Sequence, residues 1–203
     1  MDIKKTLKAS EQDREDVKLA RDEWSKLQQS ISMHSIVWLD ESSAKTNMTR
    51  LYGRALAGER CYGSAPDSRW QTTTVLSSLR TDAQTECMIY EGGTSRAVFE
   101  TYVEKVLCPS LRPGDIVVMD NLSSHKSARI TKMITGCGAE LKYLPAYSPD
   151  LNPIEKMWSK MKASLRRIKA RTAEELTEAI KTALEAVTPQ DAEAWFRSCG
   201  YQS

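Results

Sequence analysis

The chain has 203 residues, 40% of them hydrophobic and 28% charged, with a formal net charge of +2. That composition builds one large soluble domain with room for an appendage, and a polyanion partner has to be argued from local clusters rather than from net charge. Five cysteines without close pairs and two histidines exclude a disulfide framework, a zinc site and a histidine-rich metal centre.

Residues 1–30 are polar and charged, with Val17, Ala20, Trp24 and Leu27 at helical spacing. They predict a helix over about 10–29 lying on the outside of the domain formed by the later residues. No apolar leader segment opens the sequence and no apolar run approaches membrane-spanning length, so a reducing cytoplasmic location is expected. Next, "SIVWLDES" reads as a short buried strand ending in acids. "RALAGERCYG" and "WQTTTVLSSLR" read as strands separated by the turn-like "SAPDS", and "TECMIYEGG" as one more. Residues 94–108 place Val98, Tyr102 and Val106 at helical spacing. "GDIVVMDN" is a buried strand ending in an acid, and "SSHKSARITKMITGCG" a helix closed by Gly136 or Gly138. "AELKYLP" is a strand, followed by a loop with prolines at 145, 149 and 153 and then a long helix. Residues 172–199 supply one or two further helices. Three or four hairpin-like strands, then two strands alternating with helices, predict an α/β mixed sheet, taken as five-stranded, with helices on both faces. In such sheets, sites collect at strand ends near the switch in direction.

Three acids share that rim. Asp40 ends the first strand, Asp120 ends the first strand after the hairpins, and Glu155 opens the long helix. Local grammar offers Glu155 a second role: Asn152 suits an N-cap, Pro153 the first helical position, and Glu155 the capping-box position that reaches back. Convergence of three carboxylates calls for a compensating cation, and oxygen-only donors suit Mg²⁺ or Mn²⁺. Two such ions about 4 Å apart activate a nucleophile and stabilise the leaving oxygen in phosphoryl transfer. The proline loop then limits the conformations of the segment delivering the third acid.

"WLDES", "VVMDNLSSHK" and "LPAYSPDLNPIEKMWSKMK" resemble the catalytic domain of DDE transposases of the mariner superfamily, and most of all the bacterial insertion sequence 630 family. The 34 residues between Asp120 and Glu155 match the spacing of that branch, and "GRALAGERCY" resembles its strand after the first Asp. The resemblance covers nearly the whole chain. It implies a ribonuclease H-like fold and two Mg²⁺ ions per site held by Asp40, Asp120 and Glu155, with Mn²⁺ substituting. It implies cleavage of double-stranded DNA at transposon ends and strand transfer into target DNA by the freed 3′-hydroxyl. A homodimer assembled on DNA and a helix-turn-helix domain supplied upstream are also implied. Residues 1–30 are then a linker helix, 31–171 the catalytic domain and 172–203 a helical extension. Without a groove-reading module, the chain is expected to bind DNA weakly and with little sequence preference.

Glu41 is expected to point away from Asp40, by the period-two geometry of a strand. Asp150 competes with Glu155 as third ligand but is better placed to hydrogen-bond turn amides. The resemblance brings Asn121, His125 and Lys126 near the metals and the DNA strand, although a cap or surface role is open for each. In the last long helix Ile154, Met157, Trp158, Met161, Leu165 and Ile168 form a core stripe. Glu155, Ser159, Lys162 and Arg166 run beside it. Residues 153–171 carry seven basic side chains, so Lys156, Lys162 and Arg166 are candidate phosphate contacts, with a solvated helix face as the alternative. Another ribonuclease H-like nuclease, such as a junction resolvase, and a catalytically silent DNA- or protein-binding remnant are the rival readings.

Overall fold

A computed structural model describes residues 9–67, 69–121 and 126–202. Five strands form one sheet: β1 (Ile36–Lys45), β2 (Thr72–Leu79), β3 (Cys87–Glu91), β4 (Ile116–Met119) and β5 (Glu140–Tyr143). Their order is β3-β2-β1-β4-β5. The pairs β1–β2 and β2–β3 are antiparallel, while β1–β4 and β4–β5 are parallel. The mixed sheet expected from the sequence is therefore present, and the switch in direction falls at β1.

Among the described residues six α-helices cover it: α1 (Glu15–Gln28), α2 (Arg96–Tyr102), α3 (Ala128–Gly136), α4 (Ile154–Ile168), α5 (Ala173–Glu185) and α6 (Pro189–Ser198). Alternation along β1 divides the core. Ile36, Trp38 and Ala44 join Val118 and the apolar sides of α1, α4, α5 and α6 on one face. Val37 and Leu39 join Leu76, Val117 and Met119 on the other, under Phe99, Tyr102, Ile130 and Ile134 of α2 and α3. Helix starts follow the sequence closely. Ser95 and Ser127 cap α2 and α3, and Thr172 and Thr188 head capping boxes with Glu175 and Asp191. Gly138, at φ 78°, makes the left-handed turn after α3, where a side chain would also press on Pro113.

Three expectations are corrected. "RALAGERCYG" forms no strand: residues 54–63 are exposed coil, with Leu56 and Tyr62 75% and 87% accessible. Its alternation has no sheet edge to pair with, because β2 already fills the place beside β1. The helix expected in residues 94–108 is present as α2, but it continues as a π-helical turn over Val103–Leu107, which keeps Val103 and Leu107 buried with Phe99 and Tyr102 while Val98 and Val106 are only partly covered. Ile168 leaves the core stripe and is 47% exposed, because α4 ends there and Lys169 turns left-handed at φ 61°. Among the described residues no helix is long and apolar enough to cross a membrane.

Candidate active site

Asp40 is not the end of its strand. β4 pairs with β1 only through Met119 opposite Leu39, whereas β2 continues the ladder to Lys45, with Asp40 opposite Ser77. Asp40 therefore stands where the parallel neighbour runs out, beside the position that Asp120 takes next along β4. Val118 faces the α4 side of the sheet, so two residues on, Asp120 returns to the side of Asp40. Glu41 alternates to the opposite face, as expected, and is half-buried there.

A cavity of about 420 Å³ opens at this rim. Asp40, Asp120, Asn121, Asn152 and Glu155 line it together with residues 144–149 of the proline loop. The structure thus brings all three acids to one cavity. Glu155 is exposed in the first turn of α4, where the helix N-terminus favours a carboxylate. Asp40 is buried, at 8% exposure. Its Oδ1 accepts from the Glu41 amide at 2.7 Å, and its Oδ2 accepts from Asn152 Nδ2 at 3.2 Å and Trp158 Nε1 at 3.3 Å. A carboxylate offers roughly four acceptor positions, so about one is left for another partner. Burial, then the charges of Glu155 and Asp120, pushes the Asp40 carboxyl up to about 7, against the lowering pull of the Glu41 amide and Trp158.

Asn152 overturns the capping reading. No side chain caps α4: the cap position belongs to Pro153, and Glu155 stays out of any reach-back bond. The Glu155 amide bonds to the Asn152 carbonyl at 3.3 Å, while the Asn152 side chain turns inward to Asp40. A buried acid that needs donors outcompetes a helix end that water can serve. The Asn152 Oδ1 is buried and has no hydrogen-bond partner. Sequence reasoning singles out neither Asn152 nor Trp158 for this site. Both stand three residues from Glu155, one on each side, and both carry N–H donors; that is the signal the sequence offers.

Asp150 does not line the cavity, and its main partner is a distant arginine rather than the turn amides alone. Arg21 of α1 holds it through Nη1 to Oδ1 at 3.0 Å and Nη2 to Oδ2 at 2.7 Å, and reaches Ser148 Oγ at 2.7 Å. This guanidinium keeps the Asp150 carboxyl below its usual range despite partial burial. Gln12 Nε2 donates to the Tyr147 carbonyl at 2.5 Å, and Tyr201 Oη to the Leu151 carbonyl at 3.0 Å. Segments from both halves of the chain therefore brace the loop behind the acids.

The basic candidates do not share the acidic cavity. Lys162 lines a separate hollow with Glu41, Thr72 and Thr74, and Arg166 lines another with Arg50, Tyr52 and Arg167. Lys156 is exposed beside Glu155. Lys126 lies over the Tyr143 ring, 5.5 Å from its centroid. Of the seven basic residues in 153–171, Lys160 is bound to Asp191 and the Ala186 carbonyl, and Arg171 to the Thr46 and Met48 carbonyls. His125 lies outside the described residues.

Among the described residues no three His, Cys, Asp or Glu side chains are gathered tightly enough to grip an ion as they stand. The donor set nonetheless fits a hard divalent ion: three carboxylates, one of them raised by burial and its acid neighbours, and a buried amide oxygen with no partner.

Similar folds recur among solved proteins. The mariner Mos1 paired end complex with Mg superposes with a TM-score of 0.70 at 19% identity, over 98% of this chain and 63% of that one. The isolated catalytic domain of Mos1 mariner transposase gives 0.62 at 18% identity, over 95% of this chain and 89% of that one. The fold is accordingly ribonuclease H-like. The Tcb1 transposase of a transposable element of Caenorhabditis briggsae is 27% identical over 100 residues, spanning 47% of this chain and 37% of that protein. The chain thus covers under two thirds of the Mos1 chain in the complex, and its match reaches little more than a third of Tcb1. Residues 35–177, which hold the whole sheet and all three acids, match the sequence model of the DDE superfamily endonucleases, and the chain belongs to that family.

Proposed function

We propose that this chain is the catalytic domain of a transposase that cleaves DNA strands at transposon ends and joins the freed 3′-hydroxyl to target DNA. The observation that carries the proposal is the single cavity lined by Asp40, Asp120 and Glu155 at the switch point of the sheet. Asp40, Asp120 and Glu155 are the proposed ligands of two Mg²⁺ ions, with Mn²⁺ able to substitute; the similar folds of Mos1 complexes with Mg and with Mn support this choice. When bound, the ions supply activation of the attacking oxygen and charge stabilisation of the leaving one.

The chain's own residues prepare that chemistry. The Glu41 amide, Asn152 and Trp158 fix the Asp40 carboxylate in one orientation, so little reorganisation remains when an ion arrives. The loop of residues 144–152, tied to α1 and Tyr201, holds Asn152 and the start of α4 at the cavity. Lys156, Lys162 and Arg166, with Asn121, His125 and Lys126, are the proposed contacts to the DNA backbone. The partners proposed are double-stranded DNA, a second copy of the chain assembled on it, and an upstream helix-turn-helix module; a cytoplasmic location goes with that reading. All three acids lie within 31–171, which we take as the catalytic unit, with 1–30 as linker and 172–203 as helical extension.

The test is a nicking assay on a duplex carrying a transposon end, titrated with Mg²⁺. Asp40→Asn, Asp120→Asn and Glu155→Gln should each abolish nicking while circular dichroism stays native. Normal cutting by Glu155→Gln would sink its assignment as third ligand.

A further inference from the structure

Asn152 has the chemistry of a helix cap and is found instead at the acids. It is 5% exposed, it lines the cavity, and its Nδ2 donates to Asp40 Oδ2 at 3.2 Å. With Asp40 ionised, as a metal ligand must be, that bond fixes which way the amide points, because the reversed amide would set its oxygen against a carboxylate oxygen. The consequence is that Oδ1 is the group left over, buried and without a partner in the protein. A buried amide oxygen without a hydrogen bond is costly, and native structures keep one only for a reason. Packing does not supply that reason here. The backbone carbonyl of Asn152 already serves the Glu155 amide, and the backbone amide already serves the Pro149 carbonyl. Only the side chain is incomplete, and it lines the cavity that the three acids line.

We propose that Asn152 is an uncharged oxygen donor to the divalent ion held by the acids, and that the same amide orients Asp40 through its other end. The inference rests on the metal-site reading above. The chemistry fits: Mg²⁺ and Mn²⁺ take carbonyl as well as carboxylate oxygens, and a neutral donor adds coordination without adding to the repulsion among three acids. The two ends of one amide thereby couple Asp40 to the ion's coordination sphere. A positioning group of this kind typically contributes about 10–100-fold in metal affinity.

The decisive measurement is Mn²⁺ binding to the full chain without DNA, by calorimetry and by the electron paramagnetic resonance of free Mn²⁺. Asn152→Ala should weaken binding about tenfold or more. Asn152→Asp restores an oxygen with added charge and should bind at least as tightly as the native chain, although it loses the donor to Asp40. Indole N–H resonances give a second readout, since Trp158 Nε1 shares the Asp40 Oδ2 acceptor. Its Mg²⁺-induced shift should persist in Asn152→Ala, with a midpoint moved to higher Mg²⁺. A folded Asn152→Ala with affinity within twofold of native overturns the proposal. If the Ala variant does not fold, the Asp variant decides: binding tenfold weaker than native overturns the proposal, and native or tighter binding supports it. Asp40→Asn is the control for the underlying reading. If it too leaves Mn²⁺ affinity unchanged, the acids are not the ligands; if it abolishes binding while Asn152→Ala does nothing, only the role of Asn152 falls.

Discussion

Asp40 carries the largest electrostatic load at the site. An ordinary aspartate ionises near pH 4, whereas burial and the neighbouring acids raise Asp40 to about 7. Between those values the folded chain keeps a proton that the unfolded chain has already lost. Stability of the metal-free protein therefore falls as pH rises through that window, and the penalty is complete above it. Asp40→Asn removes the penalty, but its single amide oxygen cannot serve the Glu41 amide as well as Asn152 and Trp158, so the net gain is expected at about 1–3 kcal/mol at pH 8. Urea unfolding in chelator should show that gain at pH 8 and lose it below about pH 4. With saturating Mg²⁺ the order should reverse, because the native site gains binding energy that the variant cannot. A variant no more stable than native in chelator at pH 8 would mean that Asp40 is not raised.

At the scale of elements, the proline loop is held from outside as much as by its own prolines. Arg21 on α1 grips both Ser148 and Asp150, and Tyr201 closes the other side through Leu151. Arg21→Ala should cost about 1 kcal/mol, discounted because the pair is partly solvated. Its larger effect should be local: the amides of Leu151 and Asn152, which bond back to Ser148 and Pro149, should exchange faster than those of the sheet. Unchanged exchange at these amides would show that the loop is self-supporting. Helix α4 raises a separate matter, since Lys162 and Arg166 open onto different hollows. If both hold phosphates, Lys162→Ala with Arg166→Ala should flatten the salt dependence of DNA binding by up to about two charges. An unaltered slope would leave that face merely solvated.

Across the whole molecule, the rim opposite the acids is closed by a buried ion pair. Arg80, at the end of β2, meets Asp115, just before β4, with Nη1 to Oδ1 at 2.9 Å and Nη2 to Oδ2 at 2.5 Å; the side chains are 4% and 6% exposed. Burial would raise Asp115, but the guanidinium and the Arg112 amide outweigh it and hold the carboxyl below its usual range. The pair's contribution is therefore present above the ordinary aspartate range and lost as pH falls through the lowered value. Asp115→Ala strands a buried guanidinium and should cost about 3–5 kcal/mol, whereas Arg80→Met with Asp115→Leu should come close to neutral. Equal losses in the single and double variants would show that packing, not pairing, holds this rim.

Most of the frame is legible in the residues alone. Alternation sets the two faces of β1, and the strand–helix alternation after residue 110 dictates parallel neighbours on one side of it. Serines and threonines cap four helix starts in the structure, a signal that acts within a few residues. The three acids at one rim are also legible, since a strand end and a proline-bounded loop constrain Asp120 and Glu155 locally, although Asp40 stands within its strand where only the parallel neighbour runs out. Competition between groups far apart in sequence is resolved only by folding. Residues 54–63 have strand-like alternation but no free edge to join. Asn152 has ideal cap chemistry, yet a buried carboxylate 112 residues away takes its side chain. Asp150 takes as its main partner Arg21, 129 residues distant. In each case the local preference is worth about 1 kcal/mol, while leaving a buried or charged group unmatched costs more. Only the folded chain shows which groups are buried together.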